Sequence, residues 1–362
     1  MTRGRSTFLG LALTFAIAVA AYQLHAAPVP PFSIGDPARH PIDAMLIAIV
    51  IGMLVRNTIG LSARFAVGVK ASVVSLMPVG IVLMGAKLDF FDVVRTSGHS
   101  LVISIICVVV ALALTIWMCR YTKIHRNLGI LIAVGTAICG GTAIAVAAPV
   151  IEADDSDTAF AIATVTLFGM IEVFLLPLLG GAFDMTQAEF GVWAGISVHA
   201  MPQVVATGFA YGPEAGDVAT IVKLVRVLLL APVVVGLAIW YAREKRQRQV
   251  AHVTKVASFT TLFPPFILGF VLVALANTVH LLPDFTLHLH DSFLWEGQDL
   301  HVVLAKLVTW LSGFLLTISM AGVGLGVDLR AVRKVGLKAL YVGFASSVIL
   351  ASFGYALLKL IL

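Results

Sequence analysis

Five ionisable or strongly polar side chains stand in stretches of sequence otherwise fit only for lipid. Lys223 and Arg226 lie three residues apart in the run Thr220-Ile-Val-Lys223-Leu-Val-Arg226. His199 and Gln203 lie four apart around Pro202, and Glu172 interrupts a long apolar run. Groups of this kind cost several kcal/mol inside a bilayer, so they usually face a cavity and serve a function. Two neighbouring cations attract an anion, and a histidine with a carboxylate can pass a proton. The structural alternative for Lys223 and Arg226 is pairing with an acid, for which Glu172 is the obvious candidate. For His199 and Gln203, on a continuing helix, four-residue spacing gives a shared face beside a proline kink.

A further segment works without charge. Gly135-Thr136-Ala-Ile-Cys139-Gly140-Gly141-Thr142-Ala143 places paired glycines and two threonines in mid-span. A break there frees backbone N–H groups, and a helix N-terminus carries about half a positive charge, enough to hold an anion. The alternative is close helix packing through small residues. The candidate substrate contacts are therefore Thr136, Cys139, Gly140, Gly141, Thr142, Ser197, His199, Gln203, Lys223 and Arg226. Glu172 and His199 are the candidates for coupling. Breaks or strong kinks are expected within 138–142 and 199–203, brought together near the bilayer midplane.

The elements that must position these groups follow from composition. The 362 residues are 60% hydrophobic and only 12% charged, with mean hydropathy +1.02, about half the charge of a soluble domain. The apolar residues come in blocks of about twenty, the length that crosses a hydrocarbon core about 30 Å thick. The expected fold is all-α and polytopic, a single transmembrane domain over 1–362 with about eleven spans. These lie near 7–26, 41–56, 66–86, 99–118, 128–150, 158–180, 189–209, 218–241, 260–280, 302–327 and 337–360.

Charge orients this array. With the N-terminus inside, the inner loops hold sixteen of the 24 basic residues, among them Arg56, Arg64, Arg126, Arg243, Lys245, Arg246, Arg330 and Lys338. The outer loops hold Arg39, Lys87 and Arg95, with Lys359 near the terminus. The excess of Lys and Arg on one side gives a cytoplasmic N-terminus and an outer C-terminus. Arg3 and Arg5 ahead of the first apolar run also fit a cleaved signal peptide, which would not alter the orientation of the rest.

Residues 80–98 match 319–336 at a constant offset. Gly85 meets Gly324, Asp89 meets Asp328, and Val93 meets Val332. By the charge rule the first segment runs outward and the second inward, which is how an inverted repeat reads.

Other features carry less. Cys107, Cys119 and Cys139 show no CxxC spacing and read as buried thiols without metal or disulfide. His288-x-His290-Asp291 in the outer segment 281–300 lacks a second ligand cluster and reads as a solvated loop. No Walker motif, HExxH or GxSxG occurs, so neither ATP drive nor an intramembrane enzyme is expected, and no cofactor. The net charge of +5 is explained by topology, not by nucleic acid.

The segments GTAICGGTAIAVAAPVI (135–151), GISVHAMPQVVATG (195–208) and ATIVKLVRVLLLAP (219–232) resemble those of the YeiH-like sulfate exporters of bacteria, and the likeness runs from about residue 40 onward. It implies a multi-pass inner-membrane carrier, export of sulfate or a related oxyanion, and a wider kinship with inverted-repeat transporters whose broken helices cross in mid-membrane. Ala200 departs from the family's pattern, in which an acidic residue follows the histidine, and Pro202 is added. If that carboxylate carries coupling protons in relatives, this protein couples differently or moves something else. The expected activity is secondary transport of a small inorganic or organic anion by alternating access. A cation/proton exchanger built on Glu172 and a passive anion channel remain open, as does a homo-oligomer.

Overall fold

The computed structural model describes residues 3–28, 42–247, 264–281, 284–288, 299–332 and 336–361. Each of the eleven apolar stretches is built mainly of helix, with non-helical breaks at 138–140 and 198–200. They form α1 (Arg3–His25), α2 (Ala44–Thr58), α3 (Ala63–Ala71), α4 (Met77–Met84), α5 (Phe90–Thr122), α6 (Arg126–Ala137), α7 (Gly141–Ala147) and α8 (Asp155–Ala182). Then follow α9 (Gln187–Ser197), α10 (Met201–Tyr211), α11 (Pro213–Leu228), α12 (Leu230–Gln247) and α13 (Pro265–Thr278). A short antiparallel hairpin, β1 (Asp284–His288) with β2 (Asp299–Val303), leads into α14 (Leu304–Gly326), α15 (Leu329–Val332) and α16 (Leu337–Ile361). A π-helical turn at Ser72–Leu76 joins α3 to α4 ahead of Pro78, so the two make one run. Seven runs of 22 to 33 residues are long and apolar enough to cross a membrane. The protein is a multi-pass, all-α membrane protein. Of the metal reading in the outer segment, His290 and Asp291 lie outside the described residues, among which no metal-binding cluster occurs.

Two of the eleven stretches take a path that differs from the expected crossing. The run 128–150 turns back on itself: Gly135 of α6 packs on both Ile144 of α7 and Val165 of α8. His125, at the start of α6, lies 2.5 Å from Asp157, at the start of α8. The helix enters and returns to the same face. The run 189–209 does the same from the other face. Tyr211, ending α10, donates to Met185 O at 2.5 Å and stacks on Phe190 of α9, while Gln187 Oε1 accepts from Glu214 N of α11 at 3.0 Å. The 28 residues of α8, about 42 Å at 1.5 Å each, separate the two bases. So α1, α3–α4, α5, α8, α11–α12, α14 and α16 are long enough to run from face to face, the shorter apolar α2 and α13 pass between the faces beside them, and α6–α7 and α9–α10 are re-entrant hairpins. The positive-inside rule cannot register the difference, because neither 151–157 nor 181–189 contains a lysine or arginine. An odd number of crossings survives, and with it the relative sidedness of the two termini.

The inverted repeat is visible in packing. Ser319 Oγ donates to Ser72 O at 2.9 Å and Ser312 Oγ to Gly80 O at 2.7 Å, so α14 runs antiparallel to α3–α4. The aligned glycines are each pressed on a neighbouring backbone. A methyl on Gly324 would lie 2.2 Å from Ile49 O of α2, and one on Gly85 would lie 2.6 Å from Phe270 O of α13. The aligned aspartates each cap the next helix, Asp89 accepting from Phe91 N and Asp328 from Arg330 N. Helices α1–α4, α13 and α14 pack together as one bundle, with α1 crossing α3 where Gly10 meets Gly68. Helices α5–α11 and α16 form the second bundle.

Candidate functional site

The two hairpin tips meet. Gly140, at φ +67, precedes α7, and a methyl there would lie 3.2 Å from Ala200 Cβ. This is the juxtaposition expected of 138–142 and 199–203, although it joins hairpins rather than crossing helices. Pro202 sits in the first turn of α10, where its missing N–H breaks no hydrogen bond, so it starts a helix rather than kinking one. His199 and Gln203 consequently share no helical face. Gln203 Oε1 accepts from Ala200 N at 3.1 Å and its Nε2 donates to Thr166 O at 3.0 Å, tying the tip to α8.

A hairpin tip in lipid leaves carbonyls without partners at the end of its descending helix. Lys223 and Arg226, both fully buried, meet that need. Lys223 Nζ donates to Ile138 O at 2.7 Å and Val198 O at 2.8 Å, one carbonyl from each tip. Arg226 donates from Nε to Ala137 O at 2.8 Å and from Nη2 to Thr136 O at 2.7 Å, and through Nη1 to Ile196 O and Gly195 O. The parallel packing of α9 along α11, Gly191 on Val218 and Gly195 on Val222, brings them there. Each helix C-terminus carries about half a negative charge, so two such ends are natural partners for cations. The hydrogen bonds of both cations thus go to backbone carbonyls rather than to Glu172.

Glu172 faces His199 instead. Its Oε2 lies 3.1 Å from His199 Nδ1, a close ionic approach without aligned hydrogen-bond geometry. Ser197 O is 3.2 Å from the same nitrogen, and Ser347 Oγ of α16 is 2.8 Å from Nε2. With a proton on Nδ1, Ser197 O and an ionised Glu172 both stand as acceptors for it. The Ser347 hydroxyl can donate to Gly343 O, 2.9 Å away, leaving Nε2 to donate, or turn and donate to Nε2. The cluster therefore accommodates His199 with two protons or with one. Glu172 and Ser347 also line a pocket of about 280 Å³ between α8 and α16.

On the other side of the tips lies a cavity of about 700 Å³ between the two bundles. Cys139, Gly141, Thr142 and Gln203 form its head, with Thr166 beside them. Arg56 and Lys70 line it from α2 and α3, and no carboxylate does so among the described residues. Arg56 is paired with Asp328 at 2.8 Å. Of the other candidates, Gly140 makes the tip contact, and Thr136 and Ser197 are buried with hydroxyls that find no partner. Lys70, Thr166 and Ser347 were missed in the sequence; a lone lysine within the third apolar stretch was the available signal for the first.

The family described as Conserved hypothetical protein 698, the YeiH family, matches residues 9–343. The chain belongs to it. A UPF0324 membrane protein of Pseudomonas aeruginosa is 36% identical over 310 residues, 83% of this chain and 81% of its own length. One from Bradyrhizobium diazoefficiens is 34% identical over 300 residues, 82% of this chain and 79% of its own. One from Bacillus anthracis is 30% identical over 348 residues, 96% and 93% respectively. The match takes in both hairpins, α11 and the main cavity, so the site lies within what defines the family.

Proposed function

We propose that this protein is a secondary transporter of a small anion, working by alternating access in the bacterial inner membrane. The observation that carries the reading is the main cavity, headed by both hairpin tips and lined by Arg56 and Lys70, with no carboxylate in its lining among the described residues. In low-dielectric surroundings such a cavity favours anions and repels cations. Of its lining residues, Arg56 and Gly326 stand at the basic face, taken as cytoplasmic, with the N-terminus on that side and the C-terminus outside; the cavity would open there. The tip contact between Gly140 and Ala200 closes the far end. Relative movement of the two bundles would open the tips toward the other face, the usual action of inverted-repeat carriers.

In this reading Lys223 and Arg226 support the anion site from behind, by holding both tips in place. His199, Glu172 and Ser347 form the proton-coupling group, next to a pocket separate from the substrate cavity. That separation disfavours the cation/proton exchanger, which needs Glu172 in the path of the transported ion. Purified protein in vesicles, tested for counterflow against a panel of inorganic and organic anions, decides the matter. Saturable, trans-stimulated anion flux is expected. Flux that neither saturates nor responds to trans substrate would mark a channel.

A further inference from the structure

We infer that the anion taken by the main cavity is amphipathic and organic, a carboxylate-type head on an apolar body, rather than a bare inorganic oxyanion. This rests on the anion-transport reading and specifies its substrate class. The cavity holds about 700 Å³, the liquid volume of about twenty waters and well within the range of sites for organic ligands. Apart from Lys70 on α3 and Arg56 at the basic face, whose charge Asp328 offsets at 2.8 Å, its polar side chains gather at the tips, where Thr142, Thr166 and Gln203 stand. The walls leading away are Val69, Val73, Met77, Phe266, Val323 and Leu325.

An inorganic oxyanion presents oxygens in every direction and pays heavily for each side left without a donor. Here one pole would be served and the remaining surface would face valine, methionine and phenylalanine. A carboxylate at the tips with a hydrocarbon tail along the walls satisfies both ends, because burying the tail frees water from apolar surface. Lys70, exposed, lining this space and with no ion pair among the described residues, supplies positive charge within the cavity.

The test is a chain-length series. Protein in lipid nanodiscs is titrated with acetate, butyrate, hexanoate, octanoate and sulfate, following thermal stability. Alcohols of equal length and empty discs control for partition into lipid. Apparent affinity should rise with length, up to about fourfold per methylene at full burial, with alcohols much weaker and sulfate without effect. Lys70→Gln should weaken every carboxylate by a common factor, on the order of fivefold, leaving the slope with length unchanged. Met77→Ser should flatten the slope and leave acetate alone; Val73→Ser serves the same purpose should the first variant fold poorly. A series flat with length, alcohols equal to acids, or stabilisation by sulfate alone overturns this inference. If sulfate flux is then found in vesicles, anion transport stands; if no anion binds or moves, that reading falls as well.

Discussion

Asn57 donates its side-chain amide to Val327 O at 2.9 Å, and Asn277 donates its own to Leu88 O at 3.3 Å. Each acceptor immediately precedes an aligned aspartate, Asp328 or Asp89, and each asparagine stands in an Asn-Thr pair closing α2 or α13. Each half of the repeat thus pins the turn of the other. Leu329 N also donates to Asn57 Oδ1 at 2.9 Å, whereas in the other half Phe90 N donates to Thr278 Oγ1 at 2.7 Å. Asn57 carries both contacts on one side chain; Asn277 shares them with its neighbour. Asn57→Ala should therefore cost about 2 kcal/mol and Asn277→Ala about 1 kcal/mol, read as thermal stability in nanodiscs. A reversed ranking would show that the two turns are not equivalent.

The buried cations should behave as structural groups. Removing Arg226 strands the carbonyls of Thr136, Ala137, Gly195 and Ile196. A buried acceptor left without its donor costs about 1–3 kcal/mol. Arg226→Gln and Lys223→Gln should lower the yield of folded protein, while Lys70→Gln should fold normally and impair anion binding. A well-folded Arg226→Gln that has lost only anion binding would move the anion site to α11.

The hairpin path makes a topological prediction that eleven complete crossings would reverse. Cysteine at Glu152 should label from the cytoplasm and cysteine at Asp184 from outside, in a background lacking Cys107, Cys119 and Cys139. Impermeant maleimide on intact cells against inverted vesicles reads this directly. Outside labelling at 152 would restore a full crossing for residues 128–150.

Proton coupling should be separable from anion exchange. Glu172→Gln and His199→Gln should keep anion counterflow within about tenfold, yet lose accumulation driven by a proton gradient. Ser347→Ala removes the hydroxyl that serves both protonation states of His199, and should weaken the response without abolishing it. Equal loss of counterflow and accumulation would mean that the cluster only shapes the tip.

The spans, the polar clusters and the repeat were legible because lipid forces composition on every buried helix. Gly140 and Pro202 marked the breaks correctly. What lay beyond reach was direction after each break, since the loops around Glu152 and Asp184 lack the basic residues that report sidedness. The partners of Lys223 and Arg226 were hidden for a different reason: they are main-chain carbonyls, and every residue has one. Glu172 looked like their counter-ion on charge alone, and only the packing of α8 against α16 turns it toward His199.

The main cavity, in the transport reading, also bears on where the membrane voltage would fall. In the proposed transporter, water filling this cavity from one face to the hairpin tips would shorten the insulating path, so that most of the potential would fall across the thin layer around Gly140 and Ala200. A unit charge crossing the whole potential gains or loses about 2.3 kcal/mol per 100 mV. That work is then concentrated over the few residues where the tips touch. In the transport reading, His199 and Glu172, beside the tips, would sense nearly the same drop as the anion, and voltage would enter the cycle through the step in which the tips change sides.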